Sequence, residues 1–170
     1  MVKHYQYVGP KHLEDLADSE SLRQHIQTQE DFHKWFKESK QAWNAQDELT
    51  VTFIVDVEHQ LWIADRHSEH IACARGKPVL SAGEMTFIRE KDEIEILRIT
   101  NQSTGYCPEP ASWKHVEQAL RSIDFYAPSD FEVSFIFRKC HKCDVINIVK
   151  EELFECAVCQ RALNAEWNFA

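Results

Sequence analysis

The stretch CHKCDVINIVKEELFECAVC, residues 140–159, holds four of the six cysteines of this chain in two C-x-x-C pairs separated by twelve residues. A C-x-x-C turn lets two sulfurs converge on one ion while backbone amides point at them. Two such turns complete a tetrahedron with metal–sulfur bonds of about 2.3 Å. The spacer DVINIVKEELFE suits a hairpin: a Val/Ile-rich strand, a polar turn around Lys150-Glu151-Glu152, and a return through LFE. Four thiolates fill the coordination shell, so a metal held this way has no open position for catalysis.

The spacing and the exit through Phe154 and Leu163 (F-x-C-x-x-C-x-x-x-L) resemble zinc ribbons over about the last 30 residues. The resemblance implies one structural Zn²⁺ per chain, held by Cys140, Cys143, Cys156 and Cys159. Metal takes the place of a core in modules this small, with apparent binding energies of about 10–16 kcal/mol in finger peptides. A redox dithiol needs only one C-x-x-C, at a helix start within a βαβ unit. His141 is an alternative neighbouring ligand.

The remaining sequence predicts an α+β fold: a mostly antiparallel sheet packed by two amphipathic helices. Residues 1–28 are polar and weakly patterned. Thr28 is placed to cap a helix over 29–44, with Asp31 near its positive end and Phe32, Trp35, Phe36 and Trp43 on an apolar stripe. LTVTFIVD, QLWIAD, KPVLSAGEMTFI and EIEILRIT read as strands joined by short polar breaks. The alternation in EIEILRIT leaves one face wet. Trp113, Val116, Leu120 and Ile123 define a second helix, and FEVSFIFRKC is a last strand that runs directly into Cys140. The expected division is an α+β domain over 1–138 and a ribbon over 139–170, continuous with the last strand and forming one cooperative body.

Charge bears on partners. The net charge is −9, and four thiolates with one divalent ion take it to roughly −11. The ribbon segment carries Lys139, Lys142, Lys150 and Arg161 against Asp144, Glu151, Glu152, Glu155 and Glu166, so it has no basic stripe for phosphate. Basic proteins, peptides or small molecules are more natural partners than nucleic acid, with a protein partner the leading expectation; acidity that serves only solubility is the plainer alternative. The opening MVKHYQYVGPKHLED has no apolar signal region and no run is long enough for a membrane span, so the expected location is cytoplasmic, where paired cysteines bind metal more often than they form disulfides.

The densest polar chemistry lies in ADRHSEHIACARGKPVLSAGEM and TNQSTGYCPEP, with Asp65, His67, His70, Glu84, Ser103, Tyr106 and Cys107 as candidates. His70, Gly76 and Gly83 form an H-x5-G-x6-G pattern, followed by Ser103, Tyr106 and Pro108. It is similar to a module of uncharacterised bacterial toxin-associated proteins and of plant IQ-motif calmodulin-binding proteins. Those continue with S-G-H-Y-x-P, where this chain has Ser-Thr-Gly-Tyr-Cys-Pro. The similarity covers about 40 residues, lacks the second histidine and carries no activity; it implies only that the HSEH and STGY turns belong to one local structure.

Each candidate also has a structural role open to it. Gly76 and Gly83 serve turns or bulges, Cys73 is core, Ser103 and Tyr106 close a loop, and His70 and Glu84 pair. Cys107 lacks a helix N-terminus to activate it as a nucleophile. The leading expectation is a zinc-stabilised binding protein acting through protein contact, as an adaptor or an immunity-type neutraliser. The alternatives are a small enzyme with His70 and Glu84 as acid and base and Tyr106 as orienter, and a nucleic-acid-binding ribbon protein.

Overall fold

The computed structural model describes residues 1–169. In chain order its elements are β1 (Arg23–Ile26), α1 (Gln29–Glu38), β2 (Glu48–Asp56), β3 (Leu61–Asp65), α2 (His70–Ala74), β4 (Val79–Glu90), β5 (Glu93–Thr100), α3 (Trp113–Ser122), β6 (Ile136–Lys139) and β7 (Ile146–Val149). The first five strands form one antiparallel sheet in the order β1-β3-β2-β4-β5, and β6 pairs only with β7. The fold is α+β, with the four cysteines on the C-terminal hairpin.

The central strands have period-2 side chains with both faces covered along part of their length. Val51, Phe53 and Val55 of β2, Met85 and Phe87 of β4 and Ile99 of β5 face the helix layer. There they meet Phe32 and Trp35 of α1 and Val116 and Leu120 of α3. On the opposite face Ile54 and Ala82 pack with Tyr5, Tyr106 and the α2 residues Cys73 and Ala74. Burying a Phe or Leu side chain contributes about 1.5–3 kcal/mol, so this two-sided packing, not helix propensity, stabilises the short helices.

The four long strand runs and α3 form where the sequence places them. Helix α1 starts at the expected cap, where the Thr28 N–H donates to Asp31 Oδ2 at 2.9 Å, but stops at Glu38 instead of continuing to 44. Extended backbone at Ser39 ends it, and Trp43 reaches the same core from the following loop, 5.3 Å from the Phe36 ring. Two elements were not expected. β1 is a polar edge strand, steadied by Arg23 and His25 against the Trp62 ring, at 3.8 and 4.6 Å. α2 follows the HSEH loop, and Gly76 at φ +72° closes it by donating its N–H to Ile71 O at 2.9 Å.

The expected last strand is the main departure. FEVSFIFRKC does not extend the central sheet; only Ile136–Lys139 is a strand, and it belongs to the ribbon hairpin. The buried Asn101 side chain stands where ladder partners would be. Its Oδ1 accepts the Phe135 N–H at 2.6 Å, and its Nδ2 donates to Phe135 O and Pro108 O, both at 2.9 Å. Backbone pairing with β5 is reduced to an isolated parallel bridge between Thr100 and Val133 and the Glu132 N–H bond to Ile99 O, while Phe131 enters the core.

Candidate functional site

The four-cysteine cluster is built by two near-identical turns. Cys140 N–H donates to Val145 O and Asp144 N–H to Cys140 O, both at 2.9 Å; Cys156 N–H donates to Arg161 O at 2.8 Å and Gln160 N–H to Cys156 O at 2.9 Å. In each turn the residue after the second cysteine is left-handed, Asp144 at φ +59° and Gln160 at φ +60°. The four sulfurs lie within 4.8 Å of one another, with Cys140–Cys159 at 3.5 Å and Cys143–Cys156 at 3.6 Å. A tetrahedron with 2.3 Å metal–sulfur bonds has edges of about 3.8 Å, so the set fits one metal ion, and all six cysteines are free thiols.

The surroundings favour thiolate at Cys140 and Cys156, whereas burial and the neighbouring sulfurs raise Cys143. The amides of Cys143 and Lys142 aim at the Cys140 sulfur and hold its pKa below the ordinary thiol value. Those of Cys159 and Val158, with the Asn147 side chain, bring Cys156 down to about 6. Asn147, which the cysteine spacing did not single out, positions the second turn. It accepts the Ala157 N–H at 2.9 Å and donates to Cys156 Sγ at 3.5 Å. His141 is exposed and outside the cluster.

The last residues fold back on the ribbon and, through Trp167, tie it to the rest of the chain. Arg138, largely buried, donates to Ala165 O at 2.6 Å. Asn168 exchanges hydrogen bonds with the Lys139 backbone at 2.9 and 2.7 Å. Trp167 donates to Cys107 O at 2.8 Å and packs edge-on against Tyr5.

A second feature lies on the sheet face opposite α1 and α3. The loop after β3, the Glu84 side chain of β4, Thr52 of β2 and the Gln102–Thr104 loop line a polar concavity of about 300 Å³. Asp65 shapes its first wall by accepting the His67 N–H at 2.8 Å, and Thr52 Oγ1 lies 3.2 Å from Ser68 O. Gly83 brings in the opposite wall. A Cβ there would sit 1.9 Å from Thr100 O, so only glycine lets the chain leaving β5 cross this close. The HSEH and STGY turns thus form one local structure.

The sequence candidates divide between this concavity and the interior. His67, His70, Glu84 and Ser103 line it, along with Arg66, Glu69, Gln102 and Thr104. His70 Nε2–H donates to Gly83 O at 2.8 Å, which leaves Nδ1 as the ring's lone-pair nitrogen; burial lowers its pKa to about 4, so the ring is neutral at pH 7. Glu84 faces Arg66 at 3.9 Å, with both side chains partly solvated. Tyr106 is turned away. It is fully buried, donates to Lys77 O at 2.9 Å, and burial holds its pKa well above the tyrosine range. Its backbone and Cys107 close the loop through Ser103, as the plainer alternative had it. Cys107 is buried and its thiol is pushed up to about 12, which removes it as a nucleophile.

Thr52, Arg66 and Gln102 were missed because, in sequence, they look like solvated strand and loop residues. The only available signal was Gly83, beside Glu84. Among the described residues no helix is long and apolar enough to cross a membrane. Comparison with protein-family models, curated proteins and solved structures finds no match to this chain.

Proposed function

We propose that this chain is a zinc-stabilised binding protein that works through contact with a partner protein, and that the polar concavity is where the partner docks. One observation carries the reading: polar side chains from four separated stretches converge on one open depression, held by a rigid sheet and two anchored loops. Glu69 and Glu84 supply carboxylates to it, and the chain's net charge of −9 favours a basic partner segment. The cluster's ion is zinc on this reading, since soft thiolates in tetrahedral array suit it. Its role is structural, because no coordination position is open.

The test is affinity capture with the wild-type chain and the Glu69→Lys/Glu84→Lys variant, followed by reconstitution of any stoichiometric partner from purified components. Binding should weaken at least about tenfold in the variant. Equal capture by both proteins, or no stoichiometric partner, refutes the reading.

A second reading, acid–base catalysis in the same concavity, is favoured by one observation: neutral His70 and Glu84 line it together. It requires turnover of some component of a metabolite extract that is lost in both His70→Gln and Glu84→Gln.

A further inference from the structure

β5 is an edge strand of the five-stranded sheet, and only one end of its open side is covered. There the Glu132 N–H donates to Ile99 O at 3.0 Å, and Val133 bridges Thr100. Among the described residues nothing pairs with Glu93–Leu97 on that side. Beside this stretch runs a groove of about 420 Å³ with Ile94, Ile96, Phe125 and Tyr126 as its apolar surface. Its outer wall is held in place: Gln29 Nε2 donates to Asp124 O at 2.7 Å, and the Phe125 ring rests on Phe32 at 5.0 Å. Tyr126 is nevertheless 83% exposed.

Apart from Lys91, the unpaired charges here are acidic. Glu93, Glu95 and Asp124 are exposed and lack ion-pair partners among the described residues. The nearby arginines of β4 and β5 are engaged, Arg89 with Asp47 at 2.8 Å and Arg98 with Glu48 at 3.0 Å, leaving Lys91 at the hairpin turn. Alternation along β5 sets Ile94 and Ile96 toward one face and Glu93 and Glu95 toward the other.

We propose that the Glu93–Leu97 edge docks an extended segment of a partner protein in which apolar residues alternate with lysine or arginine. Main-chain hydrogen bonds extend the sheet by one strand. The segment's apolar side chains enter the Ile94–Tyr126 groove, and its basic ones meet Glu93 and Glu95 across the strand pair. A second copy of this chain is a poor occupant, because it would bring two such acidic edges, each on a chain of net charge −9, into contact. The register shift beside Leu97 ends the regular edge, so the docked stretch is short. This surface shares no residue with the polar concavity and stands or falls separately from it.

The experiment titrates the full, zinc-loaded chain with a capped heptapeptide alternating lysine or arginine with valine or isoleucine, read by fluorescence anisotropy and amide NMR. Expected are shifts at the amides of 93–97 and Tyr126, and binding weakened at least about tenfold by Glu93→Lys/Glu95→Lys, whose sites are exposed and whose circular dichroism should be unchanged. Tyr126→Ala, which leaves charge intact, should also weaken binding. Four results overturn the proposal: equal binding of a glutamate-for-lysine peptide, shifts confined to other regions such as Gln102–Thr104, no binding at millimolar peptide, or peptide-free dimerisation through β5.

Discussion

Replacing Gly83 by alanine tests how the concavity is assembled. The added Cβ would lie 1.9 Å from Thr100 O, 2.8 Å from Thr100 C and 2.9 Å from Asn101 Cα. All three atoms are backbone, so no flexible side chain can swing aside. Restoring an ordinary contact of about 3.5 Å moves the Thr100–Asn101 segment outward by roughly 1.5 Å. Overpacking of this kind costs about 1–3 kcal/mol. The shift also strains the buried Asn101 bonds to Phe135 and Pro108, and losing one such bond costs about 1–3 kcal/mol more. A total near 4 kcal/mol lowers the Tm of a chain this size by roughly 8–16 °C. Thermal unfolding of the zinc-loaded protein measures this, and amide shifts at Gln102–Thr104 report the displaced wall. Gly105→Ala is the control: its Cβ would meet only the Tyr7 ring, at 3.0 and 3.4 Å, and the ring can yield. A Gly83→Ala Tm within about 3 °C of wild type, or equal losses in the two variants, would refute the close-approach argument.

Other perturbations address the ribbon and His70. Cys143→Ser or Cys159→Ser should abolish stoichiometric zinc and unfold the hairpin while the central sheet persists; metal analysis of the wild type giving well under one zinc per chain contradicts the four-ligand site. Gln160→Gly should raise stability by about 1 kcal/mol, since glycine removes the cost of a left-handed residue at φ +60°; a chelator-competition or melting assay showing a loss counts against it. His70 binds its proton less readily folded (pKa about 4) than unfolded (about 6.5), so the unfolded state takes up more protons between those values. Its contribution is therefore complete above pH 6.5 and falls by roughly 2–3 kcal/mol toward pH 4. Denaturant titrations at several pH values should show this slope, reduced in His70→Gln; an identical slope in the variant refutes it.

What the sequence revealed and what it concealed follow from locality. β2 and β4 announce themselves because a strand buried in a sheet needs a run of branched and aromatic residues, β5 by its alternation, and α3 because one face must be apolar over three turns. The four-cysteine cluster is equally local, since each C-x-x-C fixes its turn within four residues. β1 has no such signature: RQHI holds its place by stacking on Trp62 and pairing with β3. α2, at five residues, is too short for a periodicity to show. The concavity was legible only in part. His67, His70 and Glu84 stand out as chemistry, but that Gln102 and Thr104 face them depends on a chain crossing at Gly83 that no spacing encodes. Tyr106 shows the opposite error, a polar side chain whose hydroxyl serves the interior.

Asn101 gives the molecule a mechanical property. Its side-chain amide grips Phe135, the residue just before the ribbon's first strand, by both backbone groups, while its own backbone leads directly into Gln102 on the wall of the concavity. One amide thus bridges the cysteine-bearing hairpin and the wall of the polar depression. Any displacement of Phe135 at the start of β6 therefore meets Asn101 first, and with it the chain that enters Gln102–Thr104.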